Sequence, residues 1–198
     1  MATNNSNKPR AIDAVRLATA DLHRAAEQVM PLGNSIDPGS YLAHLRALLR
    51  WLHPLQTWLH GYSDGPQDPY LLIPLDRVLL LERDITGLMT PGHPPTGGGF
   101  ALERSAPIDT AESSAAFRWG VCYVIEGAQL GGTVLAKKLA AHHGNLPLEY
   151  FNGEGASQGA RWRLFVDTLN QEVKDCADIA AASRGACFAF ERLLITAS

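Results

Sequence analysis

The sequence has no run of about 18 or more apolar residues, so no membrane-spanning helix is expected. It is poor in cysteine: Cys122, Cys176 and Cys187 are the only three, and their spacing matches no zinc or redox motif. A disulfide-stapled scaffold is thereby excluded, and the three read as small core residues or free thiols of a reducing compartment. A basic excess is also missing. The net charge of −3 excludes a nucleic-acid binder that relies on neutralising phosphates, though a local basic patch could still hold a small anionic ligand. The two-residue alternation of strands is almost nowhere present, and there is neither an internal repeat nor a heptad pattern. Met1 to Arg10 is polar and has no apolar stretch of the secretory kind, so the expected location is the cytoplasm.

What is present is an ordinary globular composition, 46% hydrophobic and 19% charged over 198 residues. That length suffices for one well-filled core and is short for two domains. Residues 1–9, rich in Asn, Ser and Lys, read as a flexible tail, and 10–198 as a single domain. Ile12, Val15, Leu22, Ala26 and Val29 recur at helical spacing and predict a helix over 11–29, ended by Pro31 and Gly33. A leucine-rich run predicts a second over 38–60, kinked at Pro54. Further helices are expected over 75–85, 110–143, 156–172 and 175–197, with loops at 64–74, 90–99 and 144–155. The fold class that follows is an all-α bundle of six or seven helices.

Two features call for a chemical explanation. The first is the run from Tyr123 to Lys138, where Gly127, Gly131 and Gly132 interrupt an otherwise strong helix former. Each glycine costs a helix interior about 1 kcal/mol relative to alanine, so the three cost about 3 kcal/mol that something must offset. Gly127 and Gly131 share a face, and Gly120 lies seven residues back on the same stripe. Spacing leaves two accounts open: close helix–helix packing, or a flat ligand lying on bare backbone. Glycines also let a helix bend.

The second is His23, beside the apolar stripe of the first helix, with Glu27 one turn on and Thr19 one turn back. A carboxylate at that spacing can orient an imidazole whose other nitrogen binds a metal. Arg16 lies two turns away on the same side, about 10 Å along the axis, within reach of an acidic edge of a large ligand. The plain alternative is a half-buried histidine paired on a helix surface. His142 and His143 suit a helix C-terminus, His53 and His60 flank the second helix, and His93 lies in a loop.

Two blocks together resemble haem oxygenases. Val15–Arg–Leu–Ala–Thr–Ala–Asp–Leu–His–Arg–Ala–Ala–Glu27 resembles their N-terminal signature. Glu126–Gly–Ala–Gln–Leu–Gly–Gly132, with Tyr123 before it, resembles their distal helix. Trp162, Phe165 and Leu169, then Phe188, Phe190 and Glu191, resemble the last helices more loosely. The resemblance implies an all-α fold with haem between a proximal N-terminal helix and a glycine-bent distal helix. It implies His23 as iron ligand, Glu27 as its partner, and Gly127 and Gly131 as the catalytic backbone against the ring, with Gly132 beside them. Arg16, Tyr123 and Arg163 would contact the propionates. The reaction implied uses O2 and an external electron donor, such as a ferredoxin or reductase, to open haem to biliverdin, carbon monoxide and Fe2+. The product would supply a biliverdin acceptor such as a bacterial phytochrome, or its iron would be the purpose. The pattern departs at Ala128, where the animal enzymes carry an Asp that organises distal water.

Ala128 leaves room for a rival reading, a non-catalytic haem carrier or sensor on the same scaffold. A thiamin-hydrolase-like enzyme would need a cysteine nucleophile with acidic partners, and no acidic cluster accompanies the three cysteines. The expected oligomeric state is a monomer, because no extra apolar face remains once the helices pack.

Overall fold

The computed structural model describes residues 10–33, 35–89, 107–153 and 158–197. The expected N-terminal tail and the whole glycine-rich connection at 90–99, with His93, lie outside them. Among the described residues there are seven α-helices and no strand, as the absence of alternation required. They are α1 (Ala11–Val29), α2 (Pro38–Leu59), α3 (Arg77–Leu88), α4 (Ala115–His143), α5 (Glu149–Asn152), α6 (Gln158–Glu172) and α7 (Cys176–Ala197).

Local chemistry sets where they begin. Asp37 accepts from the backbone N–H of Gly39 and Ser40 at 2.9 and 3.0 Å and starts α2, with Pro38 in the first turn. The Ser35 hydroxyl, the Ser40 backbone and the Ser40 hydroxyl hold the Asp37 carboxyl far below the usual carboxylate range. Asp76 caps α3 through Leu79 N–H at 3.0 Å, so this helix runs later than the expected 75–85. Ser114 caps α4 through Phe117 N–H at 3.2 Å and moves its start from the expected 110 to Ala115. The helix then runs unbroken to His143 and stops at Gly144, whose φ of 64° favours glycine. α2 continues through Pro54.

The short α5 lies inside the segment expected as loop. One turn is too short to show a period in the sequence. The buried Asp84 of α3 holds it by accepting from the N–H of Glu149 at 2.8 Å and of Tyr150 at 3.0 Å. Burial still carries the Asp84 carboxyl above its ordinary range, because desolvation outweighs those bonds.

α7 is the central element. α1, α2 and α4 all pack on it, and α6 packs on both α1 and α4. α1 and α4 make little direct contact with each other. The core is filled by Trp51, Trp119, Tyr41, Phe151 and Phe165 among the leucines of α2 and α3. The stripe on α1 buries Ile12, Val15 and Ala26. Val29, expected to complete it, is instead 38% exposed, because the chain turns away at Met30 and Pro31. No helix among the described residues is long and apolar enough to cross a membrane.

Candidate functional site

His23 sits on the solvent side of α1, farther out than the edge of the stripe. Its side chain is 57% exposed and that of Glu27 is 67% exposed. The imidazole is nevertheless positioned. Its ring meets Phe190 of α7 edge-on, with centroids 5.7 Å apart, and Nδ1 is 3.4 Å from Glu27 Oε1. A reachable imidazole held by an aromatic edge on one side and a carboxylate on Nδ1 is suited to presenting Nε2 to a metal. Thr19, expected on the same face, is buried and its hydroxyl donates to Val15 O at 2.8 Å. Arg16 is exposed, like His23.

The glycines of α4 divide between the two accounts that spacing left open. Gly120 belongs to packing: a Cβ there would collide with the carbonyl of Ala182 in α7. Gly185 of α7 answers it, since a Cβ there would strike Phe117 O. The stripe shared with Gly127 is thus not a continuous shelf; α7 covers its first turn. Gly132 also serves packing: the ring of Phe151 fills the space a side chain would take. Gly127 and Gly131 are different. A Cβ at Gly127 would lie 3.8 Å from Trp162, ordinary contact, and at Gly131 nothing lies within 4 Å. Among the described residues no neighbour requires glycine at either position, and none offsets their cost to the helix.

That division predicts opposite responses to the same substitution. Gly120→Ala should lower the unfolding free energy by about 1–3 kcal/mol or more, because the helices must part. Gly131→Ala should leave the protein without ligand as stable or raise its stability by up to about 1 kcal/mol. Urea unfolding of both variants beside the natural protein checks this; equal losses would mean that Gly131 is also packed.

α6 borders the open glycines. Trp162 packs on the buried Tyr123 at 5.7 Å and stacks on Phe165 at 5.8 Å. Tyr123 is therefore brought to Gly127 inside the bundle, and Arg163 is exposed one residue past Trp162. Beneath them lies an ion cluster that the sequence reading did not single out. Glu126, 7% exposed, accepts from Arg161 Nε at 2.9 Å and Nη2 at 2.8 Å. Arg77 Nη2 stands 2.7 Å from the same carboxylate, a charge contact rather than an aligned hydrogen bond. Arg77 Nε donates to Gln129 Oε1 at 2.8 Å, and Gln129 Nε2 donates to Tyr150 O at 2.7 Å. The signal for it was a charged residue directly after Val124 and Ile125 in an apolar helix. Burial pushes the Glu126 carboxyl up, but Arg77 and Arg161 together outweigh it and hold the group below its ordinary range.

A cavity of about 600 Å3 is lined by Leu130, Thr133 and Lys137 of α4, Phe151 of α5 and Gln158 of α6. The cysteines do not form a nucleophilic centre. Cys122 is half-buried, and burial, then the charge of Glu126, pushes its thiol up to about 12. Cys187 packs its Sγ 3.6 Å from Ala18 O, and Cys176 is exposed.

A family model described as Heme oxygenase matches residues 10–194, which include every helix given above except the last residues of α7. The chain belongs to the heme oxygenase family. A protein named Heme oxygenase from Xanthomonas campestris pv. campestris (strain 8004) is 44% identical over 87 residues, 40% of this chain and 52% of that protein. The match thus spans about half the length of this relative. Within the heme oxygenase family match lie His23 and Glu27 on one helix, Gly127 and Gly131 on another, and α6 and α7, which touch both.

Proposed function

We propose that this protein is a haem oxygenase that opens haem to biliverdin, carbon monoxide and Fe2+, using O2 and electrons from a ferredoxin or reductase. The observation that carries the reading is the face of α4 where, among the described residues, no neighbour crowds Gly127 or Gly131, while Gly120 and Gly132 are used up in packing. A planar ligand on that face would offset the glycine cost by burying its own apolar area, at about 25 cal/mol per Å2.

The residues present fit haem. His23 offers one accessible imidazole, and Glu27 sets which nitrogen carries the proton. Among the described residues no three His, Cys, Asp or Glu side chains converge on a metal position. A single imidazole suits an iron that arrives with its macrocycle nitrogens. Arg16 and Arg163 are exposed cations, and Tyr123 lies beside Gly127; these three are the candidates for the propionate side. Haem, once bound, supplies the oxygen activation and accepts the electrons. With haem bound, the bare backbone of Gly127 and Gly131 would leave room for the ring beside α4. Ala128 offers no ionisable group, so protons must come from elsewhere along the site.

The test is an absorption titration of the purified protein with hemin, followed by ascorbate in air. The expected result is a saturable 1:1 Soret band that then decays as a broad red biliverdin band grows. A Soret band that persists, also with a protein electron donor, would make the protein a carrier or sensor. No Soret band would overturn both.

A further inference from the structure

Trp162 is an unusual neighbour for an open glycine. Its Cζ3 and Cη2 atoms lie 3.8 and 3.9 Å from the position a Cβ would occupy on Gly127, while Gly131, one turn along, meets nothing within 4 Å. Among the described residues the face is therefore bounded on the Gly127 side. The ring that bounds it is also held in place. It packs on Tyr123 at 5.7 Å and stacks on Phe165 at 5.8 Å with the planes 21° apart. Phe165 is fully buried and itself packs on Trp119. The residue before Trp162 is Arg161, tied by two hydrogen bonds to the buried carboxylate of Glu126, next to Gly127. The backbone that carries the wall and the backbone that forms the shelf are thus joined at adjacent residues.

We infer that Trp162 is the specificity-determining wall of the site, fixing the in-plane seating of the macrocycle and so which meso bridge is opened. The inference rests on the haem reading above. A flat ring laid over Gly127 and Gly131 meets the indole edge on the Gly127 side and open space on the Gly131 side. Rotating or sliding the ring toward α6 brings it against a side chain backed by Tyr123 and Phe165. Selection among the bridges away from the propionates needs a steric difference of this kind, since the methyl- and vinyl-bearing edges differ little in polarity. A contact the size of one or two methylenes discriminates by about ten- to two-hundredfold.

Trp162→Phe is the informative variant, because it removes the atoms nearest Gly127 and keeps a ring to stack on Phe165. Two measurements are made beside the natural protein: the haem methyl pattern in proton NMR of the ferric cyanide complex, and the ratio of biliverdin isomers released. We expect a changed methyl pattern, which reports seating without turnover, and an isomer ratio less biased by about tenfold. An unchanged pattern with an unchanged ratio overturns the role of Trp162, as does a natural protein that itself yields an even mixture. Circular dichroism establishes that the variant is folded; should it unfold, Trp162→Met, which keeps an adaptable apolar contact, takes its place. A natural protein without a Soret band would instead fail the haem reading itself, so the two failures are told apart.

Discussion

His23→Ala should abolish turnover while leaving the fold intact. The side chain is 57% exposed, and its partners are the edge of Phe190 and the carboxylate of Glu27. Removing an exposed group of this kind shifts stability by no more than about 0.5 kcal/mol. Its expected catalytic effect is large, because in the proposed function His23 is the group that would hold the iron, and Thr19, one turn back, is buried and bonded to its own helix. Even loss of the group that orients a metal-bound histidine typically lowers affinity or activity by about ten- to hundredfold, which sets the expectation for Glu27→Ala. Loss of the imidazole itself should exceed the upper end of that range. Hemin should still enter the site, because the open glycines of α4 and the exposed cations are unchanged. The measurement is the rate of Soret decay with ascorbate in air, with added imidazole as a rescue arm. A His23→Ala protein that turned over at the natural rate would show that the iron is held elsewhere.

Glu126→Ala should be the most destabilising single substitution near the site. It leaves Arg77 and Arg161, two cations that now share one carboxylate, without a counter-charge in a place where water scarcely enters. Breaking a buried pair by removing one partner costs about 3–5 kcal/mol. For a chain of this size that corresponds to a fall in melting temperature of roughly 6–20 °C. The pH dependence has a definite sign. The folded-state pKa of Glu126 is held below the ordinary glutamate value of 4.5, so the unfolded chain takes up the proton first. Its contribution is therefore fully present above that ordinary value and is lost as the pH falls through the lower, folded-state pKa. Denaturant unfolding of the natural protein should lose stability on acidification through this window, and the Glu126→Ala curve should be flatter there. A loss below about 1 kcal/mol at neutral pH would mean that the arginines find other partners or water.

Most of the helical layout was legible in the sequence, for reasons visible at particular residues. The boundaries of α1 follow from Ile12, Val15 and Ala26 at helical spacing and from Pro31. α2 and α7 came within a residue of their ends because each carries a long apolar run. The starts of α3 and α4 were misplaced because Asp76 and Ser114, the residues that cap them, look like any polar residue ahead of an apolar run. α5 left no trace, since its single turn is held by Asp84 from another helix.

The site shows the same division. The sequence by itself determined that α4 carries glycines it does not need as a helix, and that an imidazole and a carboxylate stand one turn apart on α1. Both are statements about one helix and its period of 3.6 residues. What the tertiary structure alone decided is which glycine does what. Gly120 and Gly132 face backbone and a ring contributed by α7 and α5, while among the described residues Gly127 meets only the edge of Trp162 at ordinary contact distance and Gly131 meets nothing within 4 Å. Spacing could not separate them, because a glycine's role depends on the distance to a neighbour far along the chain. The Glu126 cluster arises likewise: Arg77, Glu126 and Arg161 come from three helices, and their attraction exists only once packing has removed the water between them.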